Sequence, residues 1–168
     1  LIFLMTVVVI NFGKFPNMEN RATLAKQQII DWISGKDVNS SVSVRMEMWE
    51  ASLKQVNTNL PLTGFGYRNI NPVIAKHATK GAQQQIAQYN HVHNTYLNHL
   101  VSEGVFGLIA ILALLFFPLK LFLASIKSKE RNEPTIASMG VVLMASLSLF
   151  GVSNNLFGDI FINAFYIF

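Results

Sequence analysis

Apolar residues crowd toward the two ends of this chain and leave its middle to polar ones. Residues 1–12 and 104–168 hold nearly all the long apolar runs, whereas 13–103 has the mixture of a water-facing segment. Hydrophobic residues make up 51% of the chain and charged ones only 13%, against about 25% charge in an average soluble domain. Lipid offers no hydrogen bonds to a bare backbone, so long apolar segments cross it as helices. The pattern predicts an all-α, polytopic helical membrane protein with one large, mostly helical loop. Spanning takes about 20 residues, and the first run supplies 12. Residues 1–12 therefore read as the end of a transmembrane helix, and the chain as a fragment of a longer one. No basic leader precedes that run, which argues against a signal peptide.

Lys127, Lys129 and Arg131 crowd the hydrophilic stretch 127–134 between two apolar runs, and short basic loops stay in the cytoplasm. Topology follows by alternation. Residues 104–126 form a transmembrane helix running inward, about 35 Å long at about 1.5 Å per residue. Pro118 is expected to kink it, and Lys120 to reach back to the headgroups. Residues 135–156 return outward as a second transmembrane helix, Ser153, Asn154 and Asn155 mark the outer turn, and 157–168 starts a further one. The loop 13–103 is then extracytoplasmic. The chain has no cysteine, which excludes disulfide staples, thiol nucleophiles and thiolate metal sites.

A loop of about 90 residues is too long for a connector, so function is expected there. Residues 23–33 read as a short helix, followed by the turn-forming Gly35, Asp37, Asn39, Ser40 and Ser41. A second helix is predicted over 41–56, where Val42, Met46, Trp49, Leu53 and Val56 recur at helical spacing and project as one apolar stripe. Glu50 and Lys54 can pair at i, i+4 on one flank, beside Glu47. Arg45 falls on the other flank with no carboxylate three or four residues away, which leaves its guanidinium for an anion. The alternative is a solvated arginine on an interfacial helix anchored by Trp49. After this helix, Pro61, Leu62, Thr63, Gly64, Phe65, Gly66, Tyr67 and Arg68 form a turn in which Gly64 and Gly66 permit positive φ or close approach to a ligand. Arg68 reads equally as surface charge or anion contact. Residues 72–88, with Lys76, Lys80 and the run Gln83, Gln84, Gln85, read as a solvated excursion, with a partly ordered flap as the alternative.

Asn90, His91, Val92, His93 and Asn94 are the densest polar cluster in the chain. Asn94 is a natural N-cap for a helix starting at Thr95. His93 then sits just before a helix N-terminus, where unsatisfied N–H groups favour anions and disfavour an imidazolium. A neutral histidine beside an anion site is a candidate general base. His77, His91, His93 and His99 are close in sequence but lack zinc-protease spacing, and their nearest carboxylate is Glu103. No metal site and no cofactor are expected, and His91 and His99 read as structural.

These residues together resemble a known pattern. His93 and Asn94, then nine residues, then Gly104 and Gly107 with two between them, look like the His-Asn-x9-Gly-x-x-Gly signature of the bacterial O-antigen ligase and O-antigen polymerase family. Arg45 with Trp49, then Pro61, Gly64, Gly66 and Tyr67, is similar to that family's Arg-x-x-x-Trp and Pro-x-x-Gly-x-Gly elements. The resemblance runs from about Arg45 to Leu115. It implies a polytopic inner-membrane glycosyltransferase whose active loop is periplasmic, with an undecaprenyl-pyrophosphate-linked glycan as donor. The acceptor is a lipid A core sugar in ligases, another repeat unit in polymerases, or a protein hydroxyl in O-oligosaccharyltransferases. It further implies that Arg45 and Arg68 neutralise the diphosphate, that His93 takes the acceptor's proton, and that Asn94, Gly64, Gly66 and Tyr67 line the substrate site. Trp49, Gly104 and Gly107 are structural, the two glycines letting the following helix pack closely on a neighbour. The family also uses an earlier arginine that this stretch does not contain, so the stretch alone is expected to be inactive.

The overall likeness favours a ligase. The competing class is a non-enzymatic membrane transport or interaction protein. A transporter places ionisable residues in mid-span, whereas 104–126 carries only Lys120 near its end and Asp159 falls near an outer turn. Partners are membrane lipids and glycans rather than nucleic acid.

Overall fold

The computed structural model of the chain describes residues 16–36, 39–59, 62–127 and 133–156. The segments expected to span at 1–12 and 157–168 lie outside them, as do Asp37, Pro61, Lys129, Arg131, Asp159 and the side chain of Arg68. The described residues form helices and no strand, in the order α1 (Pro16–Ile33), α2 (Ser41–Thr58), a 3-10 turn (Tyr67–Asn69), α3 (Ile70–Ala75), α4 (Gln83–Gln88), α5 (Thr95–Ser125) and α6 (Glu133–Phe150). The expected all-α class holds. The chain forms two compact units, Leu1–Met46 and Glu47–Phe168, and α2 runs from the first into the second.

In the first unit, α1 begins earlier than its hydrophobic pattern suggests and ends in a Schellman arrangement. Lys36 N–H donates to the Asp31 carbonyl and Gly35 N–H to that of Trp32, which takes up two of the carbonyls a helix end leaves bare. Ser40 then caps α2, its Oγ accepting from Ser43 N–H at 3.2 Å.

In the second unit, α2 does not bury the apolar stripe its spacing predicts. Met48, Ala51, Ser52, Glu47 and Gln55 are buried, while Leu53 of the stripe is 55% exposed. Polar residues can occupy the inner face because each finds a partner there. Glu47 Oε2 accepts from Thr79 N–H at 3.1 Å, Gln55 Oε1 lies 2.9 Å from His77 Nε2, and Ser52 Oγ donates to the Met48 carbonyl. Buried polar groups are tolerated where they are hydrogen-bonded. Glu50 and Lys54 pair at 2.7 Å as expected.

Residues 72–88 are not a solvated excursion. Ile70 and Ile74 of α3, Ala82 before α4 and Ile86 within it are fully buried. Asn71 Nδ2 ties the pair together by donating to the Ile86 carbonyl at 3.1 Å. Six-residue helices are too short for a periodic signal to stand out among lysines and glutamines.

α5 and α6 pack against each other through Ile111, Leu115 and Met144, joined by Leu156 from the turn after α6, with Tyr96, Leu108, Leu119, Phe122 and Leu147 around them. Both are long and apolar enough to cross a membrane, and only 17% of each apolar window is buried inside the molecule. Phe106, Ile109, Phe117, Leu121, Leu143 and Leu149 point outward, as the faces of lipid-embedded helices do. The close approach between the two helices is made at Gly140, where a Cβ would sit 2.5 Å from the ring of Phe122. The break in α5 falls at Gly104, with φ 74 and ψ −158, and Pro118 keeps helical dihedrals.

Candidate active site

The polar cluster 90–94 is held by the start of α5. Asn94 is the N-cap, its Oδ1 accepting from Leu97 N–H at 2.9 Å, and its Nδ2 donates to the Val152 carbonyl at 2.9 Å. Thr95 continues the attachment. Its N–H donates to the Gly151 carbonyl, its Oγ1 donates to that of Asn154, and the same Oγ1 accepts from Leu156 N–H. Tyr96 OH reaches the Ser148 carbonyl at 2.8 Å. The turn after α6 is thus clamped onto the first turn of α5. The N–H groups of Thr95 and Leu97 are already taken, so the helix N-terminus lacks the set of bare donors expected to favour an anion beside His93.

Val92 anchors the histidines on both sides. Its N–H donates to Asn98 Oδ1 at 3.2 Å, and its carbonyl accepts from Trp49 Nε1 at 3.2 Å. Val92 and Asn98 are fully buried. Trp49 therefore ties α2 to the peptide between the two histidines. Asn71 adds a longer contact from its Nδ2 to the His91 carbonyl, 3.4 Å. Held this way, His93 takes a left-handed φ of 52°, a conformation histidine tolerates better than most side chains. Its ring is half-buried and lies edge-on to Tyr89, with centroids 5.5 Å apart. Its Nδ1 is 3.1 Å from Nε2 of His91, whose own Nδ1 is hydrogen-bonded to Asn90 Oδ1. The sequence alone marks His91 as structural, because alternate residues signal a shared face only if the backbone is extended, and here φ of His93 is not.

The glycines serve the break in α5. The dihedrals of Gly104 belong to a region essentially confined to glycine. A break loosens the carbonyls of the preceding turn from the helical ladder, and the loop takes two of them up. Phe65 N–H donates to the Val101 carbonyl at 3.0 Å and Gly66 N–H to that of Ser102 at 2.8 Å. Gly64, at φ 73°, lies so close that a Cβ would stand 2.2 Å from the Ser102 oxygen. The Gly-x-Gly turn and the Gly-x-x-Gly break are thus two halves of one joint. At Gly107 a Cβ would meet the side chain of Glu103 one turn earlier, whose Oε2 is 2.7 Å from His99 Nδ1. Tyr67 is 45% exposed, and its OH accepts a long contact of 3.5 Å from Asn155 Nδ2.

Arg45 belongs to the first unit, where it is half-buried on α2, and no carboxylate pairs with it among the described residues. Arg68 is on the 3-10 turn. The histidines do not converge on one point, since His77 meets Gln55, His99 meets Glu103, and His91 meets His93. Among the described residues no three of His, Cys, Asp and Glu are grouped to hold a metal ion.

The described residues thus combine two helices long and apolar enough to cross a membrane with a polar loop that holds a histidine pair, the class of a helical membrane-type protein. The chain belongs to the O-antigen ligase family, whose model matches residues 1–112. It is similar to an uncharacterized protein of Haemophilus influenzae, 24% identical over 150 residues. That alignment takes in 89% of this chain and 37% of the relative, so the chain spans little more than a third of the relative's length. No solved structure matches it.

Proposed function

We propose that the chain is the catalytic portion of an O-antigen ligase-type glycosyltransferase. It moves a glycan from undecaprenyl pyrophosphate to a lipid A core sugar hydroxyl during lipopolysaccharide biosynthesis, on the periplasmic side of the bacterial inner membrane. The observation that carries this reading is the family match over 1–112, which takes in the arginine, glycine and histidine elements together.

In this reaction His93 accepts the proton of the acceptor hydroxyl, a contribution typically worth about 10² to 10⁴ in rate. The freed oxygen attacks the anomeric carbon, and the bond from that carbon to the diphosphate oxygen breaks. Undecaprenyl pyrophosphate leaves with the bonding electrons, and its charge is met by Arg45, with Arg68 as a second cation. Pyrophosphate is a good leaving group, so no protein acid is required. Arginine supplies the counter-charge, and the mechanism runs without a metal. Asn94, Gly64, Gly66 and Tyr67 border the acceptor and the sugar ring, and the outward faces of α5 and α6 meet lipid.

Deletion of the full-length gene tests the reading through the lipopolysaccharide banding pattern. Polymer left on undecaprenyl, with core carrying none, is the expected result. Core bearing a single repeat would assign the chain to the polymerases, and an unchanged pattern would overturn the ligase reading, leaving a protein O-oligosaccharyltransferase, if glycosylated protein is lost, or a non-enzymatic membrane protein, if it is not.

A further inference from the structure

His91 is in direct contact with the proposed base. We infer that Asn90 and His91 are positioning residues that fix the tautomer of His93, placing its proton on Nδ1 and its lone pair on Nε2. The use of that lone pair rests on the base role proposed above, whereas the tautomer itself can be read without any activity.

The argument runs along three groups. The Oδ1 of Asn90 is an amide oxygen and can only accept, so the hydrogen bond to it puts a proton on His91 Nδ1. A neutral imidazole carries one N–H, which leaves His91 Nε2 as an acceptor. That nitrogen lies 3.1 Å from His93 Nδ1. Two lone pairs would repel at this distance, so His93 Nδ1 is the donor. His93 Nε2 is then the nitrogen able to take a proton, by the usual rule that one ring nitrogen's hydrogen bond sets the state of the other. The geometry holds the pair in register. The two rings stand 4.2 Å apart with 67° between their planes, and Tyr89 meets the His93 ring edge-on. The Val92 backbone between them is pinned at both N–H and carbonyl. When Nε2 takes the hydroxyl proton, Nδ1 keeps its own and the imidazolium forms a charge-assisted hydrogen bond to His91 Nε2. His91 thus stabilises the protonated base without giving up or gaining a proton.

Ring-15N histidine spectra of the full-length protein in lipid nanodiscs test this, with His93 assigned by difference against His93→Ala. The expected spectrum has a protonated Nδ1 and an unprotonated Nε2 on His93. His91→Ala should let the proton redistribute between the two nitrogens and slow glycan transfer by about tenfold or more. His91→Gln, whose amide oxygen can accept where Nε2 stood, should restore both the tautomer and most of the rate. A proton on His93 Nε2 in the unaltered protein, an unchanged tautomer in His91→Ala, or a His91→Gln no better than His91→Ala would overturn the inference. Full transfer by His93→Ala would instead remove the base role, while the spectra still decide the tautomer.

Discussion

At the scale of single residues, the proposed chemistry rests on a proton acceptor, His93, and a principal anion contact, Arg45. His93→Ala in the complete protein should lower glycan transfer by roughly 10² or more, measured as ligated lipopolysaccharide at matched protein level. Transfer should also fall on acidification, because an imidazolium has no lone pair to accept a proton, and chelators should leave it unchanged. Loss in chelator with recovery on adding metal would contradict the arginine-based mechanism. Arg45→Ala should abolish transfer, and Arg45→Lys should recover little, because a point-charge ammonium replaces a planar fork that grips phosphate bidentately. Equal activity of the lysine variant would reduce the contact to simple charge attraction. Trp49→Phe keeps an aromatic ring, smaller than the indole, but removes the donor to the Val92 carbonyl. Leaving that acceptor without its partner costs about 1–3 kcal/mol if water cannot replace it, and the variant should show lowered transfer at normal protein level.

At the scale of elements, the joint between the Gly64 turn and the Gly104 break is the most sensitive part of the loop. Gly64→Ala would drive a methyl into the Ser102 carbonyl at a positive φ, which should destabilise the protein by roughly 2–4 kcal/mol. Gly104→Ala disfavours the break and favours a straight helix, in which the Val101 and Ser102 carbonyls return to the ladder and release Phe65 and Gly66. Both variants should show faster proteolysis within 59–70 than Gly35→Ala, whose added Cβ meets nothing within 4 Å. Equal resistance would mean that the turn does not depend on the break. The same joint explains what the pattern of residues hides. Two glycines two apart, and two more three apart, are unremarkable until the fold brings them onto the same pair of carbonyls.

At the scale of the whole molecule, the expected topology makes a direct prediction. A cysteine placed at Lys80 should react with an impermeant thiol reagent added from outside, and one at Lys129 should not, since no native cysteine interferes in this chain. The reverse labelling would overturn the periplasmic assignment of the loop. Gly140→Leu should weaken the contact between α5 and α6 without touching the polar cluster, because the added side chain collides with the Phe122 ring.

Several features were legible in the residues themselves. The helical class, the membrane-length helices, α2, the Asn94 cap and the Glu50–Lys54 pair follow from periodicity, segment length and spacing, which are local and additive along the chain. The family signature was legible for a similar reason, because its spacings survive in linear order. Other features required the fold. The buried face of α2 was misjudged because Glu47 and Gln55 are satisfied by Thr79 and His77, more than twenty residues away. The burial of Ile70, Ile74 and Ile86, the tie from Trp49 to Val92 and the pairing of His91 with His93 depend on which backbone groups meet across loops. A hydrophobic pattern records how each residue partitions between water and oil. Only the tertiary structure decides which polar groups satisfy one another, and in this protein those pairings build the candidate site.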